Sequence, residues 1–566
     1  MHDTAPLPDD DQENGIPHDP TIVPSSIDFP VVGIGASAGG LPALLCFFEH
    51  MPRHTGMTFV VILHLSPKHE SSAAEILQRV TAMPVTQVLH SETIRPDHVY
   101  VIPPNRHLTM TDGRLVLADL DRPRGGHIAI DIFFRTLAQA HRERSVAIVM
   151  SGTGSDGAVG LTRIKEQGGI TLAQLPADAE HEGMPDAAIR TGVVDFVLPV
   201  VEMPQKLIDL WENARTIELP PVGDGDRLLA QPTPPDAVEE AEEALQRVIV
   251  LLLNRTGHDF KQYKRATVLR RIERRMQVRS VHTLPEYRAL LETDSHECIA
   301  LLDDMLIGVT NFFRDRESFE ALEREIVPEL FKDKGVTDEV RVWVAACSTG
   351  EEAYSMAMLL ADHAAEMAHP PPFQVFASDI DSGAIAHARS GDYPASIVTD
   401  VAPARLRRHF TKDDGCYHIR KSLRDRILFA AHNVLRDPPF SRLDLVSCRN
   451  LLIYLNRDVQ ARVLEMFHFA LKPGGYLFLG GSESAESVAD YFVPVDKKNR
   501  IYRARQTTRV TASGAQLPSH VSRLPASVQR SPARRQFSYA EVHQRALGLA
   551  APPSLGLDRD ANNVHK

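Results

Sequence analysis

Val31-Val32-Gly33-Ile34-Gly35-Ala36-Ser37-Ala38-Gly39-Gly40 runs from an apolar strand into the helical stretch Leu41 to His50. Gly35-Ala36-Ser37-Ala38-Gly39 fits G-x-S-x-G, the sharp strand-to-helix turn that exposes a nucleophilic serine. The N–H groups at the start of the following helix suit an oxyanion. The same residues also read as Gly33-x-Gly35-x-x-Ala38, a loose dinucleotide fingerprint, which requires an acid at the end of the next strand. That strand, Thr58–Leu63, ends in His64, a general base rather than a ribose ligand. A triad further needs a carboxylate to orient the imidazole. Val146–Met150 reads as a buried strand, and Asp156 lies in the Gly-rich loop after it. Open α/β sheets place their sites at such strand ends. Ser37, His64 and Asp156 are therefore the candidate triad, with Ser37, Asp156 and His181 as a rival in hydrolase order. Taken singly, each is ordinary: a turn serine or helix cap, a structural histidine, a turn aspartate.

Working outward, Phe29–Ile34, Thr58–His64, Val99–Ile102, Val146–Met150 and Ile170–Ala173 are predicted strands alternating with helical patterns, as in a parallel sheet. The alternation returns in the second half of the chain. Val340–Val344 is a strand, Ala345-Ala346-Cys347-Ser348-Thr349-Gly350-Glu351-Glu352 its turn, and Ala353–His363 a helix. The next strand, Phe373–Ala377, leads to Ser378-Asp379-Ile380-Asp381, an acid where a ribose needs one. The turn lacks G-x-G-x-x-G, so S-adenosylmethionine, with no phosphate to cradle, fits better than a dinucleotide. Cys347 and Cys448 read as small buried residues rather than nucleophiles.

The fold class is α/β: two doubly wound parallel-sheet catalytic domains, the second preceded by a helical subdomain. The 566 residues divide into an arm at 1–28, a first domain at 29–212, a linker at 213–237, a helical subdomain at 238–330, a cofactor domain at 331–505 and a tail at 506–566. Residues 1–30 hold seven acids, six prolines and neither Lys nor Arg, a composition that cannot bury a core. The linker is rich in Pro, Gly and Asp. With 62 Lys+Arg against 74 Asp+Glu, the net charge of −12 gives no reason to expect nucleic acid as a partner. Five widely spaced cysteines without a CxxC pair exclude a disulfide framework or Cys-rich zinc site, and no metal is expected. The longest apolar runs are too short for a membrane span, and the acidic start is no signal peptide. The expected location is cytoplasmic. Residues 261–279 stand apart, with eight Lys/Arg and one acid on a helical pattern. Such a run is commonly a solvated face.

Residues 29–212 resemble the catalytic domain of the CheB-type chemotaxis receptor methylesterase. The matching strings are Val32 to Gly40, Leu63-His64-Leu65-Ser66-Pro67, Tyr100-Val101-Ile102-Pro103-Pro104, Gly152 to Gly160 and Gly183-Met184-Pro185. The resemblance implies Ser37 as nucleophile, His64 as base and Asp156 as orienting acid, and leaves His181 outside the pattern. It implies hydrolysis of glutamyl methyl esters on a receptor, and glutamine deamidation at the same positions. Family members usually carry an N-terminal receiver domain; the arm at 1–28 is too short for one.

Residues 240–505 resemble the CheR-type chemotaxis receptor glutamate O-methyltransferase. The strings are Thr310-Asn311-Phe312-Phe313-Arg314-Asp315, Ala345 to Glu352, Ala377-Ser378-Asp379-Ile380-Asp381 and Cys448-Arg449-Asn450-Leu451-Leu452-Ile453-Tyr454. By resemblance, S-adenosyl-L-methionine is the cofactor, and its contacts fall on Thr310, Arg314, Glu352, Asp379, Asn433, Val434, Arg449 and Asn450. Arg314 and Tyr454 are expected to position the substrate near the transferring methyl; their plain readings are a surface ion pair and a core tyrosine. Gly308 stands where the family often has Asn, and Ala353 where it often has Pro. The resemblance also implies that the basic helix, Arg271 and Arg274 included, docks the acidic helices of a methyl-accepting receptor. The expected function is thus bifunctional: methylating receptor glutamates and hydrolysing the esters. The alternatives are a regulatory scaffold with silent sites, or a serine hydrolase fused to a small-molecule methyltransferase. Phe537 to Asp558 resembles the opening of a PAS-type domain, against the simpler reading of a disordered tail.

Overall fold

Val31–Ala36 (β1) and Thr58–Leu63 (β2) are buried along their whole length, because both faces of a parallel sheet are covered by helices. In a computed structural model they pair in parallel register, Ala36 opposite Leu63. The structure describes residues 24–64, 72–104, 106–119, 128–220, 235–308, 310–413, 416–506, 556–557 and 563–565. Val85–Gln87 (β3), His98–Val101 (β4), Ser145–Val149 (β5), Ile170–Gln174 (β6) and Phe196–Leu198 (β7) complete a seven-stranded sheet in the order β7-β6-β5-β1-β2-β4-β3. All its pairings are parallel. The central β1 thus lies between β2 and β5, which brings the three expected site segments to neighbouring strand ends. Among the helices on this sheet are Gly40–Glu49 (α1), Ala129–His141 (α2), Ala158–Glu166 (α3) and Met203–Ala214 (α4). Gly35 is where α2 crosses closely: a Cβ there would lie 2.4 Å from Ile130 Cγ2.

The helical subdomain contains Pro235–Thr256 (α5), Arg265–Arg279 (α6), Leu284–Thr293 (α7) and Ser295–Leu306 (α8). Its starts are set by local chemistry. Thr283 and Glu286 form a reciprocal capping box for α7, and the Asp294 carboxylate caps α8. The apolar faces meet around Leu252, Ile272, Tyr287 and Leu301, all fully buried.

The second sheet is built from Val340–Ala345 (β8), Phe373–Asp379 (β9), Ile427–Ala431 (β10), Leu443–Cys448 (β11), Leu471–Leu479 (β12), Phe492–Asp496 (β13) and Ile501–Ala504 (β14), ordered β10-β9-β8-β11-β12-β14-β13. Five strands run parallel. The last two pair antiparallel, so the expected parallel core carries an antiparallel edge. Glu351–Glu366 (α9) follows β8.

Residues up to Gln506 form one unit in which the first sheet domain and the helical subdomain share a buried seam. Arg274 on α6 donates to Asp195 of the first domain and to Asp304 on α8; all three side chains are 1% exposed. Lys165 on α3 stands 3.6 Å from Asp195 and 3.4 Å from Asp304. Arg271 donates to the Lys165 carbonyl at 3.1 Å, and Arg274 Nε to the Gly169 carbonyl at 3.0 Å. This corrects the docking expectation for Arg271 and Arg274: each is 2% exposed, so neither guanidinium faces outward to a partner. Charge composition marked α6 as basic, but the matching acids lie far away in sequence.

Two further expectations change. The described end of the arm is packed, with Ser25 N–H donating to Ala140 O at 2.9 Å and Ile27 against the first core. The helices flanking the linker reach Ala214 and begin at Pro235. The PAS-like stretch lies outside the described residues except Gly556–Leu557, which pairs with Asn563–His565 as a two-stranded ribbon.

Candidate functional site

The turn after β1 leaves Ser37 half-buried, and Gly39 reverses the chain into α1 with a φ of 69°, a conformation that costs a glycine little. Ser37 N–H donates to Ser151 O at 3.0 Å, tying the elbow to the loop after β5. That loop passes very near: a Cβ on Gly152 would fall 2.9 Å from the Ser37 Cβ. His64, just past β2, meets Asp156 across the end of β1, with Nε2 2.8 Å from Oδ2. Asp156 also accepts the N–H groups of Ile130 (3.0 Å) and Asp131 (2.9 Å), at the start of α2. A helix N-terminus favours a carboxylate in that position. Burial and the adjacent Asp156 charge push the neighbouring Asp131 carboxyl well above its usual range. The rival acid–histidine pair is not formed: the half-exposed His181 ring lies 4.0 Å from Glu180, while its backbone serves Gly152 and Ser151. The donor set at the start of α1 is narrower than the motif suggests, since Gly40 N–H is bonded to Ser37 O and Pro42 has none.

In the second sheet, β8 and β9 place the turn 345–350 beside Asp379. Ala346 (φ 58°), Ser348 (φ 47°) and Gly350 (φ 97°) all take left-handed backbone. Such costly conformations cluster where a ligand requires them. Asp379 Oδ2 accepts Ser348 N–H at 2.8 Å and Oδ1 accepts Asp381 N–H at 2.9 Å; burial nevertheless pushes its carboxyl up. Asn433 and Val434 follow β10, whose continuation His432 N–H bonds Asp379 O at 2.8 Å. On the other flank, Glu352 accepts Ser447 Oγ–H at 2.7 Å and lies 3.7 Å from Arg449. Arg449 donates to Asp315 at 2.6 Å and its guanidinium sits over Phe319 and Phe478. Thr310 and Arg314 precede this cluster on the loop after α8. Asp379, Glu352, Asn433, Val434, Arg449 and Asn450 thus lie at or just after the strand ends of β8, β9, β10 and β11. Arg449 Nε and Nη1 and Asn450 Oδ1 are buried without hydrogen-bond partners. Orphaned polar atoms of this kind call for a ligand, and a donor pair beside an amide acceptor suits an amino-acid zwitterion on a nucleoside. Cys347 and Cys448 are buried, with their thiols pushed well up by burial, as small core residues should be.

Gly308 acquires a physical reason: Ser348 Oγ–H donates to its carbonyl at 2.8 Å, and a Cβ would lie 2.9 Å from that Oγ. Two residues escaped the sequence reading. Glu483 accepts N–H groups from Gly480 (2.8 Å), Asn450 (3.0 Å) and Ile453 (3.3 Å), and so shapes the loop carrying Arg449 and Tyr454. Its signal, an acid just past the β12 strand end, was the same one that marked Asp379. Arg163, from the other domain, reaches Asn311 and had no local signal.

Burial pushes the Glu351 carboxyl from its ordinary 4.5 up to about 7, against a 2.7 Å bond from Thr349. The folded state thus holds a proton the unfolded chain has released, and this group's support is present below pH 4.5 and lost as pH rises through 7. Glu351→Gln should therefore raise the melting temperature relative to the parent increasingly from about pH 5 to about pH 8. A pH-independent difference would contradict the burial argument.

A nucleophile elbow with its histidine and acid on one parallel sheet, and an acid-ended nucleotide-type sheet beside it, define a serine hydrolase joined to a nucleoside-cofactor transferase. Family models match accordingly: CheB methylesterase over residues 32–207, the all-alpha domain of CheR methyltransferase over 243–306, and the SAM-binding domain of CheR methyltransferase over 308–501. The chain is 34% identical over 257 residues to "Putative methyltransferase Cher3" of Pseudomonas putida, covering 91% of it and 44% of this chain. It is 34% identical to the chemotaxis protein methyltransferase of Escherichia coli, over 89% of that protein and 45% of this one. A 104.1 kDa uncharacterized protein of Rhodobacter capsulatus is 40% identical over 76% of this chain, which spans 46% of that relative. Among solved structures, the Thermotoga maritima CheB methylesterase catalytic domain is 28% identical, fully covered, over 32% of this chain, at a TM-score of 0.31. The chain belongs to the CheR chemotaxis methyltransferase family and carries a CheB methylesterase domain ahead of it. Its cofactor is S-adenosyl-L-methionine. No helix among the described residues is long and apolar enough to cross a membrane.

Proposed function

We propose that this chain both writes and erases glutamyl methyl esters on a methyl-accepting chemotaxis-type receptor. The observation that supports it most is that one chain carries the His64–Asp156 bond at the strand end next to the Ser37 turn, and Asp379 on the same sheet as buried Arg449 and Asn450 atoms that make no hydrogen bond. In the esterase, Nε2–H of His64 donates to Asp156, so Nδ1 is the basic nitrogen. It takes the Ser37 proton as Oγ attacks the ester carbonyl, and returns it to the departing methanol. Water, deprotonated by the same nitrogen, then attacks the acyl carbon, the bond to Ser37 Oγ breaks, and the proton passes to Oγ as the acid leaves.

In the methyltransferase, S-adenosylmethionine supplies an electrophilic methyl when bound. Asp379 would hold the ribose hydroxyls, Arg449 and Asn450 the amino-acid end, and Thr310, Glu352, Asn433 and Val434 the remaining wall. The acceptor glutamate is ionised at neutral pH, so alignment matters more than a base. Arg314 and Tyr454 would align it. Burial and the nearby Glu166 charge push the Tyr454 hydroxyl up, so it stays a hydrogen-bond donor. The basic helix keeps a narrower role, since its innermost arginines face the seam. The five free cysteines are consistent with a cytoplasmic location.

The test is labelled S-adenosylmethionine with a receptor signalling domain. Base-labile label on the receptor is expected. Label on small acceptors alone, with S-adenosylhomocysteine still bound, would favour the small-molecule reading. Asp379→Ala should weaken S-adenosylhomocysteine binding by roughly 30-fold, the loss of a charged hydrogen-bond acceptor at about 2 kcal/mol. Calorimetry showing unchanged affinity would remove Asp379 from the site.

A further inference from the structure

We propose that the methylesterase domain lends the methyltransferase a positioning residue, Arg163, which holds the Thr310–Asp315 loop in place through Asn311. The inference rests on the reading of that loop as part of the methyl-transfer site. Arg163 lies on α3, and its Nη2 donates to the Asn311 side-chain oxygen at 2.8 Å. Its Nη1 donates to Glu166 at 3.2 Å, one turn along the same helix. A planar guanidinium bonded at both arms is fixed in orientation as well as in place. The side chain is 11% exposed, so most of the guanidinium is withdrawn from water.

The loop needs holding. Phe313 (φ 51°) and Asp315 (φ 59°) take left-handed backbone, which costs of order 1 kcal/mol or more each and persists only when surroundings impose it. Three ties come from the methyltransferase itself: Phe313 N–H to Ser355 Oγ at 3.0 Å, Asp315 to Arg449 at 2.6 Å, and Gly308 O to Ser348 Oγ at 2.8 Å. Asn311 sits between them, with its amide N–H on Phe312 O at 3.2 Å. Its oxygen is met by the other domain. Thr310 and Arg314, on either side, are the residues expected to face cofactor and acceptor.

The Arg163 charge is met locally by Glu166. Burial, with Arg314 and Arg135 as like charges, draws its guanidinium below the ordinary range, opposed by Glu166. Val159, Gly160 and Arg163 of one domain, with Thr310, Asn311 and Glu351 of the other, line a shared cavity of about 80 Å³. The anchor point is stable at its far end too: α3 begins just after Asp156, and Gly160 N–H is bonded to Asp131 at 2.7 Å.

The experiment uses the full chain. Arg163→Ala should lower kcat/KM for receptor methylation about 10-fold or more and weaken S-adenosylhomocysteine binding about threefold or more, while ester hydrolysis stays within about twofold. Arg163→Lys should recover part of the loss, since it restores charge without the two-armed geometry. Asn311→Ala should match Arg163→Ala, and the double variant should be no worse than either, as coupled residues are non-additive. Unchanged methylation and affinity in Arg163→Ala would overturn the proposal. So would losses that multiply in the double variant, or equal falls in both activities alongside a lowered melting temperature. A parent chain that fails to bind S-adenosylhomocysteine would overturn the site reading itself, before any variant is compared.

Discussion

Ser37→Ala is expected to lower the rate of receptor ester hydrolysis by about 10⁴-fold or more while leaving the chain folded, since triad members act as a unit and losing the nucleophile removes nearly all their effect. The substitution deletes one half-buried hydroxyl in a turn whose bonds are made by the backbone, Ser37 N–H to Ser151 O and Gly40 N–H to Ser37 O. Those bonds survive in alanine, so the melting temperature should hardly move. Methylation should continue, and label from S-adenosylmethionine should accumulate on the receptor faster than in the parent. Retained hydrolysis would remove Ser37 from the chemistry, whatever the methyltransferase does.

Arg274→Ala is expected to destabilise the chain by roughly 3–5 kcal/mol, the cost of leaving buried charges unpaired. Its two arms satisfy Asp195 and Asp304 together. Burial pushes the Asp304 carboxyl up, but Arg274 and Lys165 hold it below its ordinary range. Without Arg274, no hydrogen-bonded guanidinium remains between the two buried carboxylates, and Lys165 stands 3.6 and 3.4 Å away. Trp211 lines the 290 Å³ cavity that Arg274 and Gln277 also border, so its fluorescence reports on this seam during urea unfolding. Arg265→Ala is the control. Arg265 lies on the same helix and pairs with Glu242 at 2.6 Å, but both are partly exposed, and such pairs are worth about 1 kcal/mol or less. If the two variants unfold alike, Arg274 is not the buried keystone described.

Local signals made much of this legible. The G-x-S-x-G turn, the strand-end His64 and the loop acid Asp156 each announced a strand end, and strand adjacency brought them together. Asp379 was legible for the same reason. What sequence could not supply was contact between domains. Six arginines on one helix look identical whether their partners are a receptor or Asp195, because the pairing is set by tertiary packing. Arg163 is the same case: nothing within α3 signals that its partner is Asn311. The antiparallel edge of the second sheet escaped because short strands such as Ile501–Ala504 carry little periodicity.

The seam has a consequence at the scale of a cell. On the proposed function, every copy of the chain brings one methylating and one demethylating centre, locked in equal number. On the proposed reading, the steady fraction of modified receptor is a ratio of two rates that rise together with copy number. Expression noise then cancels from the set point and alters only how quickly it is reached, so any adjustment of that set point has to act on one centre and not on abundance.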